Sequence, residues 1–176
     1  MKNVLDIPRT AMEVFNMLPE GTLCEVIDNV LYMSPSPTTD HQRILLNITY
    51  EIKSSLKQQP LGEVFVAPCD VYLDNEENVV EPDIIFVSNE KAGMVKRKGI
   101  YGAPDLLIEI LSTNVVHDKK RKLELYERNG VAEYIIIDPD TKEVWHYLLE
   151  DNRYSLQSDS TNGKIEIRQL SLKIDF

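Results

Sequence analysis

Glu109 is the one ionisable residue in the run Leu106-Leu107-Ile108-Glu109-Ile110-Leu111, which is otherwise fit for complete burial. A carboxylate in such surroundings must be paired, hydrogen-bonded or bound to a cation. Two readings are open: a strand-end glutamate that reaches water or a lysine, or a metal ligand. The ligand reading gains weight from Asp83, which follows Pro82 and opens another apolar run, Ile84-Ile85-Phe86-Val87. On neighbouring strands, facing residues lie about 5 Å apart, close enough for two carboxylates to hold one divalent cation. Asp105, in a second Pro-Asp pair, precedes Glu109 by four residues on the same face, roughly 13 Å away at about 3.3 Å per residue. It cannot share that ion and reads as the residue where the strand begins. Glu81 has the parity of Asp83 and serves either as an outer ligand or as an exposed edge glutamate.

The segment after this strand supplies cations. Asp118, Lys122 and Tyr126 fall at i, i+4 and i+8 beside Leu125, on one side of an expected helix. Asp118 and Lys122 at this spacing form a surface ion pair, or Lys122 returns over the end of the Glu109 strand. Lys119, Lys120 and Arg121 are expected to project elsewhere. Glu25 shares a face with Leu23 and Ile27 and is read as a hydrogen-bonding carboxylate among apolar neighbours. His41, at the start of a helix and one turn before Leu45, is read as a capping or core histidine. His117 and His146 have no companions at metal spacing. The chain has no Gly-rich phosphate loop, no nucleophile elbow around a serine and no Cys-rich cluster, which disfavours nucleotide hydrolases, serine esterases and zinc modules.

The elements that must position these residues follow from patterning. Thr10 to Leu18 reads as a short helix. Leu23 to Ile27 and Val30 to Met33, joined by Asp28-Asn29, read as a tight β-hairpin. Thr39 or Asp40 caps a helix with the apolar stripe Ile44, Ile48, Ile52 and Leu56, which ends before Pro60. Val64 to Leu73 and Val79 to Val87, separated by turn-forming residues, are expected to form an antiparallel pair. Leu106 to Leu111 reads as a central strand covered on both faces. Asp118 to Asn129 is the cation-bearing helix, with Gly130 at its C-terminal cap. Tyr134 to Ile137, Val144 to Leu148, Tyr154 to Leu156, Ile165 to Ile167 and the alternation from Leu170 to Phe176 add strands.

With 176 residues and no dividing linker, the chain is expected to form one domain, 1–176. Its 27% charged residues, 7 Gly and 9 Pro exclude disordered and collagen-like classes. Cys24 and Cys69 read as packed free thiols. No apolar run approaches the roughly 20 residues of a membrane helix, and the first residues lack a signal peptide's apolar core, so a soluble cytoplasmic protein is expected. A net charge of -10 argues against a general nucleic-acid coat. Yet between Lys91 and Arg128 nine basic residues face only five acids. That is either a solvated face or a local phosphate-facing patch.

Several segments together resemble a known family: Leu23-Cys24-Glu25-Val26-Ile27-Asp28-Asn29, Met33-Ser34-Pro35, Glu81-Pro82-Asp83-Ile84, Gly102-Ala103-Pro104-Asp105-Leu106, Ile108-Glu109-Ile110-Leu111-Ser112, Lys122-Leu123-Glu124-Leu125-Tyr126 and Gly130-Val131-Ala132-Glu133-Tyr134. In this order and spacing they are similar to the Uma-two family of restriction endonuclease-like proteins. The resemblance implies the PD-(D/E)XK nuclease fold: an α/β domain with a mixed sheet flanked by helices, here with an N-terminal β-hairpin and a strand-rich C-terminal end. It further implies an Mg²⁺- or Mn²⁺-dependent endodeoxyribonuclease in which Asp83 and Glu109 bind the metal. The pattern's lysine, two residues after the second acid, is replaced here by Leu111, and the family resemblance assigns its role to Lys122. Asn29 stands where the family usually has Gly, a mild change because Asn tolerates the same turn. Glu25 is an additional ligand or base on this reading. DNA is the expected partner, and a homodimer through the strand-rich ends the expected assembly. Removal of Lys122 is expected to abolish cleavage with little change in stability. The alternative is a catalytically inactive nuclease-like fold that binds nucleic acid or protein.

Overall fold

A computed structural model describes residues 7–112, 115–160 and 162–176. The chain begins with α1 (Ala11–Phe15), capped by Thr10, whose hydroxyl accepts the Glu13 N–H. The hairpin β1 (Cys24–Ile27) and β2 (Val30–Met33) follows. Its turn residues Asp28 and Asn29 have φ of 50° and 61°. Paired positive φ values of this kind suit the right-handed twist of the flanking strands, as the sequence led one to expect. Next comes α2 (Thr39–Gln58). Its cap is Thr38 rather than Thr39 or Asp40, the Thr38 hydroxyl accepting the His41 N–H. The expected stripe of Ile44, Ile48, Ile52 and Leu56 is buried, together with Leu45 and His41.

The two long apolar runs do not form a single antiparallel pair. Each is broken in the middle, giving β3 (Gly62–Val66) and β4 (Val71–Leu73), then β5 (Asn78–Val80) and β6 (Ile84–Ser88). β3 pairs with β6 and β4 with β5, both antiparallel, so the pairing direction is as expected while the continuity is not. The breaks fall at Pro68 and Pro82. A proline cannot donate to a ladder, so each is a natural point for the chain to leave one sheet and enter another. The remaining elements are β7 (Val95–Lys96), β8 (Gly99–Tyr101), β9 (Leu106–Ile110), α3 (Val115–Asn129), β10 (Glu133–Ile137), β11 (Val144–Glu150), β12 (Arg153–Ser160), β13 (Lys164–Ile167) and β14 (Leu172–Asp175).

Two six-stranded sheets result, β2-β1-β5-β4-β8-β7 and β12-β11-β10-β9-β6-β3, with β13-β14 as a separate hairpin. β9 and β10 are parallel, joined by α3 as a crossover helix, and β9 lies in the middle of its sheet. One face of that sheet packs on α2 and β13-β14 through Ile84, Phe86, Ile108, Ile135 and Ile137. Its other face packs against the first sheet and α3 through Ile85, Val87, Leu107 and Ile136, which meet Val71, Val80 and Leu125. Burial on both faces is why β6, β9 and β10 carry almost unbroken aliphatic sequences. Among the described residues no helix is long and apolar enough to cross a membrane.

Candidate functional site

The β6–β9 register sets Ile84 opposite Ile108, and one further step sets Asp83 opposite Glu109 on the same face. Asp83 stands just past Pro82, where the chain re-enters the sheet. Its Oδ2 accepts the Ile110 N–H at 2.7 Å, and its Oδ1 lies 3.1 Å from His41 Nε2 at the start of α2. From the other sheet, Glu25 on β1 turns inward and accepts the Glu81 N–H at 2.8 Å.

α3 closes this space from above. Lys122 Nζ lies 2.9 Å from Glu25 Oε1 and 3.0 Å from Glu109 Oε1, so one ammonium bridges a carboxylate from each sheet. One turn along the helix, the Tyr126 hydroxyl donates to Glu109 Oε1 at 2.8 Å. Glu25, His41, Glu109 and Lys122 are all buried. With Asp83, Glu81, Lys119 and Arg121 they line an open cavity of about 730 Å³.

Burial disfavours charge here more than any other influence. It raises Glu109 well above the usual carboxylate range; Lys122 opposes the rise, while Asp83 and Glu25 add to it. Glu81 is pushed up to about 7, again by burial first and then by Asp70 and Glu25. The site therefore gathers acids that burial and mutual repulsion disfavour as ions, with the Lys122 ammonium between Glu25 and Glu109.

Among the described residues no three His, Cys, Asp or Glu side chains converge as a ready-made metal cluster. Asp83 and Glu109 nonetheless fit a hard divalent ion, because Mg²⁺ retains most of its waters and uses only one or two carboxylates with substrate phosphates. Among the described residues, the hydrogen bonds and ion pairs of Glu25 and Glu109 fall on Oε1 in each case. The donor set is all oxygen, which suits Mg²⁺ or Mn²⁺ over thiophilic metals.

The structure thus gathers Glu25, Asp83, Glu109 and Lys122, with Glu81 at the rim. It leaves Asp105 apart, at the other end of β9, where it accepts the Ser88 N–H at 2.7 Å and pairs with Lys91 at 3.1 Å. The side chains of His117 and Asp118, and with the latter the Asp118–Lys122 pairing, lie outside the described residues. His146 is buried against Glu133, away from these acids. One expectation changes. Lys119 and Arg121 do not project elsewhere but line the cavity, with Lys119 over the Trp145 ring and Arg121 Cζ 4.2 Å from the Tyr32 ring centre. His41 is buried, as the core reading has it, and it also touches Asp83; among the described residues its buried Nδ1 has no hydrogen-bond partner. The signal for it was its position one turn before Leu45, at the start of the buried stripe.

A family model described as "Uma2: Putative restriction endonuclease" matches residues 12–176. Among solved structures, the chain is similar to one described as a "putative nuclease belonging to DUF820" from Anabaena variabilis ATCC 29413. That match is 22% identical, covers 93% of this chain and 92% of that one, and has a TM-score of 0.74. At that identity the likeness carries the fold, a restriction endonuclease-like mixed sheet flanked by helices. No curated protein matches the chain.

Proposed function

The chain belongs to the Uma2 family of restriction endonuclease-like proteins, and on that premise we propose that it is a metal-dependent endonuclease that hydrolyses DNA phosphodiester bonds. The observation that carries this reading is the meeting of Asp83, Glu109 and Lys122, from three separate elements, in one cavity. Asp83 and Glu109 would hold Mg²⁺ or Mn²⁺. Such an ion supplies, when bound, a water of lowered pKa and neutralisation of phosphate charge. The chain's own residues do the rest. Lys122 orients the attacking water or meets the negative charge that develops on the phosphate, held in place by its contacts to Glu25 and Glu109. Glu25, on the opposite sheet, acts as a further ligand or as a base. Tyr126 donates to Glu109 and fixes its Oε1, while Lys119 and Arg121, in the cavity lining, would meet the substrate's phosphates. His41 and the Ile110 N–H hold the two oxygens of Asp83.

A second reading has an observation of its own. Lys122 already neutralises two acids, as it would in a nuclease-like fold that has become a nucleic-acid- or protein-binding module. Incubation of supercoiled plasmid with the full chain in Mg²⁺, Mn²⁺ or EDTA decides between them. Metal-dependent nicking that disappears in Asp83→Asn and in Glu109→Gln is expected; no nicking in any metal favours the binding module. Cytoplasmic location goes with the nuclease reading, and the free thiols Cys24 and Cys69 suit a reducing compartment. A homodimer is supported by apolar side chains on outer strands, Val30 and Met33 on β2 and Leu156 on β12, and sedimentation velocity tests it.

A further inference from the structure

The β7–β8 hairpin turns on Arg97 and Lys98, with Lys96 paired to Gly99 just before the turn. All three cations are exposed, and among the described residues none is in an ion pair. This contrasts with Lys91, Arg128 and Lys122, which meet Asp105, Asp28 with Asp74, and Glu25 with Glu109 respectively. In a chain of net charge -10, three adjacent uncompensated cations are a feature to be explained.

Their position follows from the sheet register. Val80, Val71, Ile100 and Val95 form one row across β5, β4, β8 and β7. One step further toward the turn, Gly99 and Lys96 continue into Asp70 and Glu81, and the next step reaches the hairpin tip on one side and Pro82 on the other. The tip therefore extends from the same end of the sheet as Glu81, Asp83 and Pro68, which line the acid cavity. Three strand spacings separate β5 from β7, about 14 Å at about 4.8 Å each. The tip is also held firmly. Gly99 has φ +151°, and a Cβ there would sit 2.6 Å from the Asp70 carbonyl oxygen, so the strand lies closer to its neighbour than any other residue allows. Below it, the Tyr72 and Tyr101 rings stack at 4.6 Å.

We propose that the Lys96-Arg97-Lys98 tip is a docking surface for the phosphate backbone of duplex DNA, beside the bond that is cut. The proposal rests on the nuclease reading for the identity of the polyanion. Its own content is the location: phosphates recur about every 3.4 Å along each strand's axis, so the about 14 Å between β5, whose end carries Glu81 of the cavity lining, and β7 corresponds to roughly four base pairs along the duplex. The acids Asp70 and Glu81 in the same row disfavour a phosphate over the middle of the sheet, which leaves the tip to grip the flank.

The test is fluorescence anisotropy of a labelled 20-base-pair duplex, in EDTA so that no cleavage occurs, across 50–200 mM KCl. The full chain is compared with the Lys96→Ala, Arg97→Ala, Lys98→Ala triple variant, whose circular dichroism and melting temperature should match the wild type because these side chains are exposed. The variant is expected to bind about ten- to hundredfold more weakly at 50 mM, and its log–log salt slope to be shallower by about 2 to 3, at about 0.9 per phosphate contact. Equal affinity and slope overturn the proposal even where the wild type cleaves plasmid, and so does a wild type that binds no duplex. Loss of binding in the variant with no cleavage by either protein leaves the docking surface standing and removes the enzymatic reading. Reduced binding of the variant to phosphatidylserine vesicles or duplex RNA, with DNA binding unchanged, also overturns it.

Discussion

Lys122→Met removes the ammonium that bridges Glu25 and Glu109, and the structure sets the scale of the effect. Lys122 is 6% exposed and Glu109 8%, so the two carboxylates would lose a desolvated partner and find little water in its place. Breaking a buried pair by deleting one partner costs about 3–5 kcal/mol. In a chain of this length that corresponds to a fall in Tm of about 6–20 °C. This replaces the expectation that Lys122 could be removed with little change in stability, which its burial against Glu25 and Glu109 does not allow. The penalty should also depend on pH in a defined sense. Glu109 is raised in the folded chain above its unfolded value, so its ionisation works against folding: its contribution is fully present below the unfolded pKa and is lost as pH rises through the folded one. Lys122 opposes that rise. Without it the folded value climbs further, and the gap between variant and wild type widens toward pH 8 and narrows toward pH 5. Urea denaturation of both proteins at these two pH values measures it. Adding Glu109→Gln to Lys122→Met should recover part of the loss through a coupling of about 0.5–3 kcal/mol. A variant with the wild-type midpoint at both pH values, or strict additivity in the double variant, would refute the argument.

Three further outcomes are expected. Millimolar Mg²⁺ or Mn²⁺ should raise the wild-type Tm, by about 5–11 °C at a hundredfold excess over Kd, and leave Asp83→Asn with Glu109→Gln unmoved; superimposable wild-type melting curves across metal concentrations would contradict a metal site at these acids. His41→Ala should weaken that response by about ten- to hundredfold in metal concentration, because it frees one oxygen of Asp83 from its holder; an unchanged midpoint in the metal titration would show His41 to be a core residue only. Glu133, fully buried, accepts the Arg168 and Gln169 N–H groups and contacts His146 Nε2. Glu133→Ala should therefore cost about 3 kcal/mol or more and speed amide exchange at Arg168 and Gln169 before that in β9; protection that stays unchanged at those two amides would show that Glu133 does not hold them.

Much of this was legible in the sequence. The stripe of α2, the Asp28-Asn29 turn and the solitary acid of β9 each follow from local patterning, and local patterning is what a chain shows before it folds. What was hidden depended on distant partners. Thr38, Thr39 and Asp40 are all able to cap a helix, and only the backbone path chooses among them. Leu45, one turn on, marks His41 as buried, but nothing near it in sequence points to Asp83, which lies 42 positions along. The parallel pairing of β4 with β8 joins short strands with no alternation long enough to read. Pro68 and Pro82 were visible, but each stands inside a run whose apolar residues otherwise argue for continuity.

Those two prolines also explain where the candidate site is. Two of the passages of the chain between the sheets fall at Pro68, from β3 to β4, and at Pro82, from β5 to β6, and at such a crossing neither sheet is closed by the other. Ladder pairing is interrupted there, so carboxylates can sit beside apolar strands without displacing core residues. Asp83 ends one crossing, and Glu25, bonded to the Glu81 N–H, lies against the other side of it. β9 runs into the same opening. Because β9 and β10 are parallel, the chain must return through a crossover helix, and α3 carries Lys122 back over Glu109. Leu111, two residues beyond Glu109, packs partly buried in the core between the sheets. An ammonium delivered from the helix reaches Glu109 Oε1 without a cation in that core. On the proposed reading, a migrated lysine follows from topology: the crossover that joins the parallel β9 and β10 also brings the Lys122 ammonium to Glu109.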